Sequence, residues 1–136
     1  MQLRSFLIVA SAVYAGFGLG LLVAAASFMS LFGVRLDVGG ELMARVYGAA
    51  LVAFALTFWW SRTSPIAGPV RSLIRANCIF HVLSFALVLW ATLRGVMGPS
   101  GWGPVILHAM LVAGFGYFGL ADRESATPGS SFRSTP

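Results

Sequence analysis

The charged residues leave four long stretches of the chain without any charge. These stretches run from Ser5 to Val34, Val46 to Ser61, Ala76 to Leu93 and Gly95 to Ala121. Because about 20 apolar residues in a helix span the hydrocarbon core of a bilayer, this pattern predicts four transmembrane helices. The predicted spans cover about residues 5–31, 42–60, 70–93 and 102–120.

The segments between the predicted helices are short and rich in glycine and proline. They cover Gly33–Gly40, Thr63–Pro69 and Gly95–Pro104. Short connections place consecutive helices side by side and antiparallel, so the predicted fold class is an all-α membrane protein, a four-transmembrane-helix up-down bundle. From Asp122 onward the chain is polar and rich in Ser, Thr and Pro. We therefore expect one transmembrane domain over 1–121 and a disordered C-terminal tail over 122–136.

The composition narrows the classes of function. Only 10% of the 136 residues are charged, whereas a soluble domain carries about 25%. So little charge cannot cover a separate soluble catalytic domain, and no catalytic residue is predicted. The formal net charge is +5, but the basic residues stand singly around the apolar runs, which excludes a nucleic-acid partner. The expected partner is the lipid bilayer.

The basic residues also predict an orientation. All of them are arginines, with six on the side of the bundle that holds both termini and three on the opposite side. By the positive-inside rule, both termini lie in the cytoplasm. Sole use of arginine, together with abundant alanine, indicates a GC-rich bacterial genome. We therefore expect a multi-pass protein of the bacterial inner membrane.

Small residues recur along the first predicted helix. Ala12, Gly16, Gly20 and Ala24 follow one another at every fourth position, and Gly48 belongs to a similar, less regular series in the second helix. Membrane helices associate through close packing of such small residues, because lipid offers no hydrophobic drive between helices. The series predicts either packing within the bundle or the seam of a homodimer, and a separate membrane-protein partner is a further alternative.

Polar side chains at membrane depth are the strongest candidates for a function. Asn77, His81 and Ser84 share one face of the third helix, and His108 lies in the fourth. Counted from the helix ends, the two histidines differ in depth by roughly 9 Å, which disfavours a haem between them. No Asp or Glu lies within a span, so neither a metal site nor a proton-coupled pump is predicted. His81 serves either as a neutral structural hydrogen-bonding group or in a proton relay, and no cofactor is predicted.

A second group of polar residues lies at the start of the second helix. Glu41 and Arg45 stand four residues apart in the order that favours an ion pair on a helix. Tyr47 follows them and, with Tyr14 of the first helix, is a possible source of an extra hydroxyl. His108 reaches a similar level if the second and fourth helices are neighbours. The pair is interpreted either as an interfacial salt bridge or as part of a pocket in which Arg45 and His108 hold a polar or anionic headgroup.

The segment Glu41–Ala50, which reads ELMARVYGAA, carries a resemblance to a known group. It resembles the start of the second helix in small uncharacterised bacterial four-helix membrane proteins, broadly of the DoxX-like type. Their Ala-Arg-x-Tyr-Gly pattern is filled here by Ala44, Arg45, Tyr47 and Gly48. The resemblance implies an inner-membrane four-helix fold and no defined reaction.

Three hypotheses for the function follow. The first is non-enzymatic: an accessory or interaction subunit, or a binder of a lipid-like molecule. The second is a small transporter or channel with a polar path at Asn77 and His81. The third is a membrane redox protein that uses haem or quinone.

Overall fold

The computed structural model describes residues 2–64 and 68–120, and helices make up most of both segments. They are α1 (Leu3–Ser30), α2 (Val38–Ser61), α3 (Gly68–Leu93) and α4 (Trp102–Leu120), with a 3-10 turn over Pro99–Gly101 ahead of α4. All four are long and apolar enough to cross a membrane. The predicted all-α bundle of four membrane-length helices is therefore confirmed. The predicted tail, residues 122–136, lies outside the described residues.

The helices form two antiparallel pairs, α1 with α2 and α3 with α4. We call the end of the bundle that holds residues 31–37 and 94–98 the distal end, and the end that holds residues 2, 62–64 and 120 the proximal end. These names carry no statement about the side of the membrane.

Helix α2 begins at Val38, four residues before the predicted start at 42. Its first turn contains Gly39 and Gly40, which are weak helix formers. Asp37 offsets this weakness by capping the helix, because its carboxylate accepts a hydrogen bond from the Gly40 N–H at 2.6 Å. Glu41 adds a negative charge to the same first turn, which suits the helix dipole.

Two helices end at the distal end in the same way. Gly33 follows α1 with φ +78°, and Gly95 follows α3 with φ +70°. Behind each glycine the chain closes a Schellman motif, in which Val34 N–H donates to Met29 and Val96 N–H to Ala91. Only glycine adopts this left-handed conformation without strain, so these two residues fix where α1 and α3 stop.

The segment that leads into α4 docks on the end of α1. Gly98 N–H donates to the Phe32 carbonyl at 2.8 Å, and the Ser100 hydroxyl donates to the Leu31 carbonyl at 2.6 Å. A Cβ atom on Gly33 would lie 2.7 Å from Gly98 N, which leaves no room for a side chain. These contacts join the two helix pairs at the distal end.

The closest approach of α1 and α2 occurs at Gly18 and Gly48. A Cβ atom on Gly48 would lie 2.7 Å from the Gly18 carbonyl oxygen, and one on Gly18 would lie 2.9 Å from the Gly48 carbonyl oxygen. At these distances the two backbones touch, as in membrane helices that pair through small residues. Gly48 therefore serves the packing role predicted for it.

The series predicted on α1 does not form the contact. A Cβ atom on Gly16 would meet nothing within 4 Å, and Ala12 and Ala24 are exposed. Only Gly20 is closely covered, by the ring of Phe28 from the same helix. The physical reason is the helical repeat: a step of four residues overshoots one turn by about 40°, so residues 12 and 24 point about 120° apart. A series of this length cannot stay on one face of a straight helix.

The glycine contact yields a test of stability. We expect Gly48→Ala to lower the free energy of unfolding by about 1–3 kcal/mol, because the added methyl group meets the backbone of α1, which cannot rotate aside. Gly16→Ala is the matched control: its methyl group meets nothing within 4 Å and alanine is the better helix former, so we expect no loss and a gain of up to about 1 kcal/mol. Unfolding in detergent micelles, titrated with SDS and followed by circular dichroism, measures both. Equal losses in the two variants would contradict the assigned contact.

Candidate functional site

Four polar side chains form a continuous chain through the middle of the bundle. The Tyr14 hydroxyl donates to Asn77 Oδ1 at 2.8 Å and lies 2.7 Å from His81 Nε2. His81 Nδ1 lies 2.9 Å from His108 Nδ1. Asn77 and His81 are only 3% and 2% exposed, so these hydrogen bonds lie in the dry interior. The chain connects α1, α3 and α4.

The positions of these residues follow from the helices that carry them. Asn77 and His81 are one turn apart on α3, so both side chains face the same neighbour, which is α1. Tyr14 lies on the buried face of α1, close to the Gly18 contact, and its ring packs edge-on against Phe58 of α2 at a centroid distance of 5.2 Å. A single tyrosine thereby contacts both residues of α3 and the aromatic core of α2.

Aromatic rings enclose His81. Its imidazole stacks on Phe115 of α4 at a centroid distance of 5.5 Å and an angle of 16°, and Tyr14 meets it edge-on. Phe115 also contacts Phe58 at 5.4 Å, and both of these phenylalanines are completely buried. Each of the four helices therefore contributes at least one ring to this cluster, which covers the hydrogen-bonded chain.

The predicted difference in depth between the two histidines is wrong. The sequence placed His81 and His108 roughly 9 Å apart along the bundle, but the two rings touch, with their centroids 5.1 Å apart. The prediction measured each position from the end of a straight, upright helix and ignored the reach of two imidazole side chains. Neighbouring contacts show the true register, because the Cys78 thiol reaches the Val112 carbonyl.

The histidine contact bears on the haem alternative. Metal–imidazole bonds are about 2 Å long, so an iron between two imidazoles needs facing nitrogens about 4 Å apart and a porphyrin plane between the rings. His81 and His108 instead meet directly, and the other nitrogen of His81 is taken by Tyr14. Within residues 2–64 and 68–120 no group of three or more His, Cys, Asp or Glu side chains is arranged to hold a metal ion.

A cavity of about 150 Å³ lies beside this chain, toward the distal end. Tyr14 and His108 form part of its wall, and Tyr47 of α2 lies on the same wall. The rest of the lining is apolar and includes Phe17, Phe28, Phe32, Leu51, Val88 and Met97. The cavity is therefore largely apolar, and His108 and Tyr47 supply its polar atoms.

The predicted group at the start of α2 is divided between two places. Tyr47 and His108 line the cavity, whereas Glu41 and Arg45 do not. Arg45 forms the expected ion pair with Glu41 at 3.7 Å, but its guanidinium also donates to the carbonyls of Leu22 and Val23, at 2.9 and 3.3 Å. This cavity therefore contains His108 without Arg45.

A break in α1 explains the position of Arg45. Ala24 has φ −136° and ψ 50°, so the helix is kinked there and the carbonyls just before it lose their helical partners. Unpaired carbonyls at membrane depth are costly, and Arg45 satisfies two of them. The arginine acts as a cap inserted from the neighbouring helix.

Ser84 takes no part in the polar chain. It is half-buried, and its hydroxyl forms no hydrogen bond among the residues that the structure describes.

Tyr14, by contrast, is the centre of the chain. The sequence pattern indicates Tyr14 only as a source of an extra hydroxyl. Its signal was a phenol in the middle of an uncharged run, a polar group that needs a partner when buried.

Comparisons with protein-family models, with curated proteins and with solved structures gave no match for this chain.

Removal of the Arg45 cap provides one test of this arrangement. We expect Arg45→Met to lower the free energy of unfolding by about 1–3 kcal/mol, because two carbonyls at the kink lose their donor. Glu41→Gln breaks only a part-exposed ion pair, so we expect a loss below about 1 kcal/mol. SDS titration measures both variants. If Glu41→Gln cost as much as Arg45→Met, the ion pair and not the cap would be the important interaction.

Removal of the Tyr14 hydroxyl provides a second test of this arrangement. Tyr14→Phe leaves Asn77 Oδ1 and His81 Nε2 buried without their shared partner, and we expect a loss of about 1–3 kcal/mol in the free energy of unfolding. Tyr47→Phe is the matched control, because the Tyr47 hydroxyl bonds no other described residue. We expect that control to unfold like the parent protein. A Tyr14→Phe variant of parental stability would show that the chain contributes nothing to the fold.

Proposed function

We propose that this protein binds one lipid-like molecule within the membrane and that the cavity beside His108 receives the end of that molecule. The observation that carries the proposal is a largely apolar cavity of about 150 Å³ in a bundle of membrane-length helices, with a few polar residues in its lining. Ligand sites have this character: an apolar lining supplies affinity and a few polar groups fix the orientation. Bundle interiors are also a common place for them.

The cavity is bounded by both helix pairs. Phe17, Phe28 and Phe32 come from α1 and the segment after it, while Val88 and Met97 come from α3 and the segment that follows. A molecule in this space would contact both pairs at once and would be held between them. We place the protein in a bacterial inner membrane with both termini in the cytoplasm, on the arginine distribution along the chain. The distal end and its cavity then belong to the outer leaflet.

The alternative of a transporter or channel receives less support. It requires Asn77 and His81 to line a path, but both are almost fully buried and their polar atoms are engaged by Tyr14, by the Leu73 carbonyl and by His108. The chain of hydrogen bonds also ends at an amide, which does not pass a proton on. Binding without conduction fits these contacts better.

Filling the cavity tests the proposal. We expect Val88→Trp to remove the bound molecule, because the indole occupies the space between the helix pairs. Leu87→Trp, at the neighbouring position on the same helix, is the matched control: Leu87 is 67% exposed and is not part of the cavity wall. Native mass spectrometry of protein extracted in mild detergent measures the co-purified molecule. We expect one molecule per chain in the parent protein and in Leu87→Trp, and none in Val88→Trp.

Two results would overturn the proposal. One is an equal amount of bound molecule in Val88→Trp and Leu87→Trp, which would place it on the outer surface of the bundle. The other is the absence of any bound molecule from the parent protein after reconstitution with total membrane lipid.

A further inference from the structure

We infer that the molecule bound in the cavity carries a hydroxyl group on a ring-sized apolar head and that this hydroxyl donates a hydrogen bond to His108 Nε2. The inference rests on the proposed function and adds to it the chemical class of the ligand. It follows from the direction of the hydrogen bonds in the chain that begins at Asn77.

The direction is set at Asn77. Its Nδ2 donates to the Leu73 carbonyl at 2.9 Å, one turn earlier on α3. An amide nitrogen has only donors and an amide oxygen only acceptor sites, so this bond turns Oδ1 toward Tyr14. The Tyr14 hydroxyl therefore donates to Asn77, at 2.8 Å.

The remaining bonds follow from the number of protons available. Tyr14 has a single hydroxyl proton, which Asn77 takes, so the same oxygen accepts from His81 Nε2–H at 2.7 Å. A neutral imidazole carries one N–H, and His81 Nδ1 is then an acceptor. His108 Nδ1, which lies 2.9 Å from it, must be the donor. His108 Nε2 is left with a lone pair.

Both imidazoles are neutral because nothing nearby would stabilise a cation. The groups packed against His81 are Tyr14, Asn77, His108 and phenylalanine rings, none of them anionic. In the part of the chain that the structure describes, the acidic residues are Asp37 and Glu41, and these engage Gly40 N–H and Arg45. A charged ring without a counter-ion in an apolar interior is strongly disfavoured.

His108 Nε2 is therefore a hydrogen-bond acceptor that needs a donor. His108 lines the cavity, and its second nitrogen forms no hydrogen bond within residues 2–64 and 68–120. A ligand hydroxyl would satisfy it, whereas an ether, a ketone or a carboxylate would present a second acceptor to the same lone pair. His108 Nε2 thus selects for a donor on the ligand, while the Tyr47 hydroxyl, which also belongs to the lining, can accept from or donate to the same ligand group.

The size and the lining of the cavity indicate the shape of the head. An apolar cavity of about 150 Å³ is known to accept a molecule the size of benzene. Phe17, Phe28 and Phe32 contribute aromatic faces and edges to this wall, which favours a flat ring over a bulky or charged headgroup. A phenol with an alkyl tail combines the ring, the donor and the lipid-like character.

Three probes of equal tail length test this inference: 4-octylphenol, its methyl ether 4-octylanisole, and octylbenzene. Binding to the protein in lipid nanodiscs is measured by equilibrium dialysis, relative to the concentration of each probe in the lipid of empty nanodiscs. We expect the phenol to bind at least ten times more tightly than either other probe, and Val88→Trp to abolish specific binding of all three.

Asn77→Leu is the more specific variant, because Asn77 sets the direction of the hydrogen bonds and touches no ligand. Asn77 acts here as a positioning residue. Without the amide, the only acceptor left for the Tyr14 proton is His81 Nε2, so every bond in the chain reverses and His108 Nε2 gains a proton. We expect the ratio of phenol to ether affinity to fall from at least ten to about one or two. Nitrogen-15 spectra of labelled histidine report the same reversal without a ligand: His108 Nε2 is unprotonated in the parent protein and protonated in Asn77→Leu.

The outcomes separate the two proposals. If the three probes bind equally and Val88→Trp displaces them, the cavity binds lipid-like molecules but the hydroxyl class is wrong. If none binds above the empty nanodiscs, the proposed function fails and the ligand class fails with it. A protonated His108 Nε2 in the parent protein would also overturn the inference, because His108 would then be a donor toward the cavity and not an acceptor. The ranking of the three probes and the histidine spectra of the parent protein decide the ligand class, so an Asn77→Leu variant that does not fold leaves that part of the test intact.

Discussion

The hydrogen bonds of the Tyr14 hydroxyl are the interaction on which the rest of the bundle depends. In lipid, apolar surface alone does not press one helix against another, so the two helix pairs need other contacts to stay together. Tyr14 supplies polar ones by reaching Asn77 and His81 across the gap between α1 and α3. The rings of Phe58 and Phe115 keep water away from these bonds, and a buried hydrogen bond is costly to leave unmade.

The two levels of packing differ in kind, and the cavity follows from that difference. Within the first pair, Gly18 and Gly48 bring the backbones of α1 and α2 into contact, which leaves no space between the helices at that level. Between the helices of different pairs the bonds described above involve side chains, and toward the distal end the side chains do not fill the interior. The kink at Ala24 divides the α1 residues around this space: Leu21 lines the cavity from before the kink and Phe28 from after it. The docking of Gly98 on Phe32 closes the bundle beyond the cavity.

The sequence predicted the four helices well because charge is so scarce: in the described residues every charge lies in a connection or within the first eight residues of a helix. It also placed Asn77 and His81 on one face of α3, since local spacing decides that. It could not pair them with Tyr14 or bring His81 to His108, because those contacts depend on the register between helices and on the reach of side chains. The regular series at Ala12 and Gly16 was misleading, whereas Gly18, which stands outside that series, forms the contact. The role of Arg45 depends on a kink at Ala24, and no proline in the sequence marks that kink.

The four residues that carry the resemblance, Ala44, Arg45, Tyr47 and Gly48, can now be divided by what they touch. Arg45 caps the broken end of α1 and Gly48 lies against Gly18, while Ala44 packs against the core. Tyr47, which is rotated by about 100° from Gly48 around the helix, lines the cavity instead. Arg45 and Gly48 thus serve the pairing of α1 with α2, which any ligand would need equally. The hydrogen-bonding character of the cavity is shared between Tyr47 and the chain of Asn77, His81 and His108 on other helices. A short pattern at the start of α2 therefore specifies mainly the helix pairing, and the acceptor inferred for the ligand hydroxyl, His108 Nε2, lies outside it.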